Sequence, residues 1–304
     1  MERPQNKYSK NQDIDSLYAI SRTKRILAKI TGSLKAIFGI AVMVALIFTA
    51  IFSPQIDPQD PYTQSLEERL LPPAWEKGGT HKHLLGTDHL GRDMLSRLIY
   101  GSRVSIIVGF SAVFISGTIG VILGLIAGYF SRYAGAIIMR IVDIFLSIPY
   151  ALMALAVIAA IGTGLLNLIL VLALTRWAHY TRITSGTMLQ IKEKEFIEAA
   201  HARGNSSLRI ITRHILPNAM PPILVLASLE LAFMIIMEAT LSFLGLGVQP
   251  PTPTWGLICA EGREYLTVAW WITTFSGLAI VLTVLGANLF GDWLRDNLDP
   301  RLKI

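Results

Sequence analysis

Long apolar runs dominate this sequence and set what it can fold into. A helix needs about 20 apolar residues to cross the roughly 30 Å hydrocarbon core of a bilayer, because each residue adds about 1.5 Å. Runs suited to this lie at about Ala36–Phe52, Val104–Phe130, Ala136–Ile161 and Leu165–Trp177, then from beyond Pro221-Pro222 to about Leu244, and from Trp270 to about Phe290. The fourth is the shortest and ends among Arg176, His179 and Arg182. Of 304 residues, 52% are hydrophobic and 16% charged. Soluble domains carry about 25% charged residues. Within hydrocarbon a spanning segment must satisfy its own backbone, which a helix does. The expected fold is an all-α polytopic membrane protein with six transmembrane helices.

Six spans place both termini on one side. Residues 1–35 read as a cytoplasmic tail, with Arg22, Lys24, Arg25 and Lys29 beside the first span, 36–52. Pro54, Pro58 and Pro61 then open an external loop, 53–103, in which acidic and basic residues nearly balance. Within that loop Thr87-Asp88, ahead of Gly91–Leu98, predicts a capped amphipathic helix lying at the interface. Residues 104–293 form a core of five spans, and 294–304 a second cytoplasmic tail. Of 27 Lys and Arg residues, only Arg69, Lys77, Lys82, Arg92, Arg97, Arg103 and Arg263 then fall outside. This is the positive-inside asymmetry, so the formal charge of +6 is no sign of nucleic acid as a partner. The N-terminus reads as lacking a cleavable leader.

Several residues invite specific readings. Gly120, Gly124 and Gly128 put a smooth stripe on one face of the second span, which favours close helix packing. Arg140 and Asp143, at i and i+3, can pair, and Pro149 predicts a kink in the third span. His81, His83 and His89 raise a metal site, but no accompanying carboxylate or cysteine pattern supports one. Cys259 is the lone cysteine, which excludes an internal disulfide. Glu230 and Glu238 lie within the fifth span, eight residues apart and near one face, where a carboxylate is a candidate pathway residue by default. Glu238 also reads as a hydrogen-bonded structural carboxylate. For Glu230, facing a water-filled passage or a partner subunit stands level with pairing inside the chain.

The polar segment 193–217, EKEFIEAAHARGNSSLRIITRHILP, has the grammar helix, glycine, helix. Phe196, Ala199 and Ala200 share one helical face. Gly204 suits a left-handed C-terminal cap. Ser206 or Ser207 can cap a second helix striped by Leu208, Ile211 and Ile215 and closed by Pro217.

Glu198-Ala199-Ala200, then Gly204, then Ile215-Leu216-Pro217, resembles the EAA loop of ABC importer permeases, with His214 where that pattern has an aliphatic residue. The strings His83–Asp93, Arg213–Asn218, Glu238–Gly247 and Asp292–Arg301 are similar to the dipeptide/oligopeptide (peptide/nickel) permease family, in its C-type subunits. The resemblance implies a type I ABC importer permease fold and a multi-pass place in the bacterial cytoplasmic (inner) membrane. It implies a second homologous permease, two ABC ATPase subunits and an extracytoplasmic peptide-binding protein as partners, besides membrane lipid. Glu198, Ala199, Ala200, Ala202, Arg203, Gly204, Asn205 and Ser206 would form the ATPase-coupling corner. ATP and Mg2+ would sit on the partner ATPases, with no cofactor or metal in this chain.

The chain has no G-x-x-x-x-G-K-[ST] phosphate loop, serine elbow or H-E-x-x-H pair, so an enzyme is not expected. The resulting reading is a permease that moves di- or oligopeptides. Nickel chelates, glutathione or polyamines, carried by related branches, are the alternatives. A stand-alone secondary transporter is a further one, against which the lack of a clear internal repeat counts.

Overall fold

A computed structural model describes residues 33–130 and 133–298. The expected tail over residues 1–35 lies outside these for residues 1–32, as do Ser131, Arg132 and residues 299–304 of the second tail. Among the described residues the fold is all-helical, with one isolated β-bridge between Thr87 and Asp93 and no strand.

Helix α1 (Leu34–Ile56) begins where Ser33 accepts from the Ala36 amide, and runs through Pro54 to end at Asp57. The loop that follows has one short 3-10 turn, Leu66–Glu68. Helix α2 (Met94–Tyr129) is 36 residues of unbroken helix, about 54 Å long at 1.5 Å per residue. This corrects the expected interfacial helix. Asp93, not Thr87-Asp88, is the cap, its carboxylate accepting from the Ser96 amide and hydroxyl at 2.8 Å each. The amphipathic stretch is the first part of the same continuous helix.

Helices α3 (Ala134–Ser147) and α4 (Tyr150–Ile161) meet at 93°. Pro149 breaks the span rather than kinking it. It forces Ile148 out of the helical region, to ψ 130, and no helical bond crosses the joint. Helix α5 (Leu165–Lys192) packs along α2. The close approach depends on the glycine stripe: a Cβ on Gly120 would lie 2.5 Å from the Trp177 carbonyl oxygen, and one on Gly124 2.8 Å from that of Thr181.

Next come α6 (Glu195–Ala202), α7 (Ser207–Ile210), a π-helical turn (Ile211–Ile215) and α8 (Leu216–Phe243). Pro217 does not end the second helix. Its missing N–H removes one i→i−4 bond; the turn widens there and the chain continues as helix through Phe243. Helix α9 (Trp255–Gly262) and a 3-10 turn (Arg263–Tyr265) precede α10 (Trp270–Leu298).

Among the described residues four helices are long and apolar enough to cross a membrane: α1, α2, Ser207–Phe243 and α10; α3 with α4 makes a fifth if the bent pair is one span. Helix α5 has the length, 28 residues, but Arg176, His179, Arg182 and Lys192 make its second half too polar to qualify with the others. The core is apolar and shared: Val108, Leu172, Met234 and Leu241 join α2, α5 and α8.

Candidate functional site

Three features stand out, at the corner between α6 and α7, at the middle of the bundle and at its far end.

The corner closes by local chemistry. Gly204 has φ +73, a conformation that glycine adopts without strain. Its amide donates to the His201 carbonyl at 2.8 Å and the Asn205 amide to that of Ala200 at 3.3 Å. These are the two bonds of a Schellman cap. The Asn205 side-chain amide adds a third, to Ala200, at 3.0 Å. Ser206 occupies the next N-cap position without a side-chain cap bond.

The buried face of the corner differs from the expected one. Ile197 and Ala200 face inward, and with Ile210, Ile215, Met188 and Ile191 they form the cluster that fixes the corner to α5 and α8. Phe196 and Ala199 are exposed, as is Leu208. The helix is too short to bury both sides, and it docks on its 197/200 edge. Glu198, Ala199, Ala202, Arg203, Gly204 and Ser206 are therefore exposed and Asn205 half-buried, while Ala200 is fully buried. Lys192 tethers the approach, donating to the Tyr129 carbonyl at 3.0 Å.

At mid-bundle Arg176 grips Glu230 with two prongs: Nε to Oε2 at 2.7 Å and the second guanidinium nitrogen to Oε1 at 2.5 Å. Fork-to-fork geometry of this kind is the strongest form of the charge pair. The guanidinium lies 4.1 Å from the Phe233 ring centroid and 5.3 Å from that of Tyr150. His179 stands 3.2 Å from it. Glu230 is thus paired within the chain. Glu238 sits fully buried against Ser242 at 2.9 Å and Ser105 at 3.4 Å. The two carboxylates do not share a site. Asp143 pairs with Arg182 of α5 rather than with Arg140.

The far end of the bundle holds a buried ionic network. Asp88 receives Arg92 at 2.6 Å and also Arg97, and both arginines reach Glu261 on α9, at 3.1 and 2.9 Å. Burial pushes the Asp88 carboxyl up, but Arg97 and Arg92 outweigh it and hold it below the usual carboxylate range. The three histidines do not converge: His83 bonds Asp93 at 2.9 Å, His89 stacks on Tyr265, and His81 is exposed. Asp88, His89 and Glu261 do gather within 4.8 Å. Both carboxylates already carry arginines, so the group is an ion-pair cluster. Trp270 and Trp271 link this end to α10, bonding Glu76 and the Thr87 carbonyl at 3.1 and 3.0 Å.

Comparison with known proteins fixes what this architecture is. Residues 120–304 match the family described as the binding-protein-dependent transport system inner membrane component. The chain belongs to that family. Residues 35–73 also match the N-terminal transmembrane domain of oligopeptide transport permease C. The chain is 46% identical to the dipeptide transport system permease protein DppC of Escherichia coli K12, covering 88% of this chain and 89% of that one. It is 44% identical to the di/tripeptide transport system permease protein DppC of Pseudomonas aeruginosa, with 88% of each chain covered. A solved structure of the MetNI methionine ABC transporter shares the fold, with a TM-score of 0.57 at 21% identity over 68% of this chain and 98% of its own. The chain is therefore a multi-pass membrane permease component, and the relatives it matches are transport permeases rather than enzymes.

The corner between α6 and α7 was visible in sequence as a contiguous string. The Arg176–Glu230 pair was not, because its partners lie 54 positions apart. The one hint was a charge inside each of two spans, which asks for a partner.

Proposed function

We propose that this chain is a transmembrane permease subunit of an ATP-driven importer that carries di- or oligopeptides across the bacterial inner membrane. The likeness to DppC proteins supports the peptide cargo. Six crossings are proposed, with α5 as the sixth and both termini cytoplasmic. A helix as polar as α5 is acceptable in a membrane when its charges are paired; Arg176 is paired with Glu230 inside the chain, and Arg182 with Asp143 at its exposed flank. A second homologous permease, two ABC ATPases and an external peptide-binding protein complete the assembly. ATP and Mg2+ act on the ATPases.

The observation that carries the reading is the corner. It presents Glu198, Ala199, Ala202 and Arg203 on a short helix whose inner edge is bolted to α5 and α8. A partner that seats on this helix bears on two long helices at once. Ala200 acts from beneath, as packing, and Gly204, Asn205 and Ser206 shape the turn. In alternating access, closure of the ATPases would displace the corner and reorient the spans around the path.

The test is cysteine cross-linking in the assembled importer. Single cysteines replacing Ala202 or Asn205 should form disulfides with cysteines in the ATPase groove, and ATP should change the yield. Modification of both positions only by reagent applied outside intact cells would reverse the topology and overturn the assignment.

A further inference from the structure

We propose that the Arg176–Glu230 pair is a subsite for zwitterionic short peptides, with Arg176 taking the peptide carboxylate and Glu230 its ammonium group. The inference rests on the peptide-import reading and names residues within it.

The pair lies near the midpoints of α5 and α8, two 28-residue helices. These are the helices that enter and leave the corner, so any motion there that changes their separation acts on the pair. Opening the pair in an apolar interior leaves two charges without partners, a strongly disfavoured state. A zwitterionic peptide removes that penalty. Its carboxylate replaces Glu230 on the guanidinium and its ammonium replaces Arg176 on the carboxylate, so charge is conserved at each step. A solute with one charge, or none, leaves one protein charge or both unmatched.

The surroundings fit such an exchange. Phe233 and Tyr150 hold the guanidinium by cation–π contact whether or not Glu230 is attached, which keeps the fork presented to a carboxylate. Tyr180, one turn along α5, is 1% exposed, and its hydroxyl has no hydrogen-bond partner among the described residues. Arg176 is 12% exposed where Glu230 is 4% exposed, so the pair is reached from the guanidinium side. A dipeptide spans at most about 7 Å end to end, so a gap of that size between the two groups receives it.

The experiment uses the complete importer with its partner subunits in proteoliposomes. The double variant Arg176→Gln/Glu230→Gln removes both charges together and leaves no unpaired ion to unfold the bundle. We expect normal complex yield and uptake of a free dipeptide reduced at least tenfold. Uptake within twofold of the unsubstituted protein would make the pair purely structural and overturn the proposal. If the double variant does not assemble, Arg176→Lys decides: it keeps the charge but loses the two-pronged grip. It should raise KM for the dipeptide at least fivefold, and an unchanged KM overturns the proposal. The unsubstituted importer separates the two levels of inference. Failure to take up any dipeptide, with ATP-dependent uptake of a nickel chelate or polyamine instead, refutes peptide import itself.

Discussion

Replacing Gly204 with valine should uncouple transport without unfolding the protein. The residue sits at φ +73. There a Cβ costs about 1–2 kcal/mol, with a β-branched side chain at the upper end. No steric clash adds to this, since nothing lies within 4 Å of a Cβ at this position. The alternative is to abandon the left-handed turn and lose its bonds, Gly204 to His201 at 2.8 Å and Asn205 to Ala200 at 3.3 Å, each with a net contribution of about 1 kcal/mol. The two alternatives are of equal size, so the variant divides its population between a strained corner and a reshaped one. A difference of about 1.4 kcal/mol is a factor of ten in population. The packing that fixes the corner, Ile197, Ala200, Ile210 and Ile215, is untouched. Membrane yield and thermal midpoint should therefore stay close to normal, while ATP-driven uptake falls several-fold to tenfold. Gly204→Asn is the control, because asparagine tolerates the left-handed region; it should transport far better than the valine variant. Normal uptake with valine, or equal loss with asparagine, would refute the argument.

Arg97→Met should lower the thermal midpoint of the purified complex clearly, because removing one member of a buried charge network costs about 3–5 kcal/mol, and Arg97 bridges Asp88 and Glu261 while 1% exposed. A midpoint within a degree of the unsubstituted value would show that Arg92 alone suffices. Asp57 behaves in the opposite sense: burial, then Asp93 and Asp60, push its carboxyl up to about 6, and it caps the negative end of α1. A folded-state pKa raised above the unfolded one gives a stability contribution present below about pH 4 and lost as pH rises through about 6. Asp57→Asn should therefore raise the thermal midpoint at pH 7.5 and leave it unchanged at pH 4; an equal gain at both would refute the titration argument.

What could be read from sequence followed from distance along the chain. The corner is a contiguous string whose residues meet one another, so glycine, caps and apolar spacing located it. The spans were legible wherever apolar content was unbroken, as in α1, α2 and α10. The expected fourth span stopped at Trp177 because Arg176, His179 and Arg182 broke the hydropathy, yet the helix continues to Lys192. Its polar residues are met by Glu230 and Asp143 from other helices, which no local pattern reveals. The same holds at Pro149 and Pro217. Each removes one backbone donor, but one became a 93° break and the other a widened turn in a continuing helix. The difference lies in packing: Ile210, Ile215 and Ala219 are buried across the second joint and hold its two sides in line.

The two helices that flank the corner are not equally stiff, and this decides how a push is shared. Helix α5 has no proline and no irregular turn between Arg176 and Lys192. It is clamped to α2 where Gly120, Gly124 and Gly128 let the backbones touch. A shift of α5 along α2 must drag these contacts past one another, and tightly packed surfaces resist that. On the other side, the π turn Ile211–Ile215 stands between the corner and Glu230, with Pro217, Pro221 and Pro222 following. Each of these residues lacks one stiffening backbone bond. Displacement at the corner should therefore be taken up mainly by α8. Arg176, held by the clamped helix and by its aromatic contacts, stays as the fixed half of the pair, and Glu230 is the half that moves.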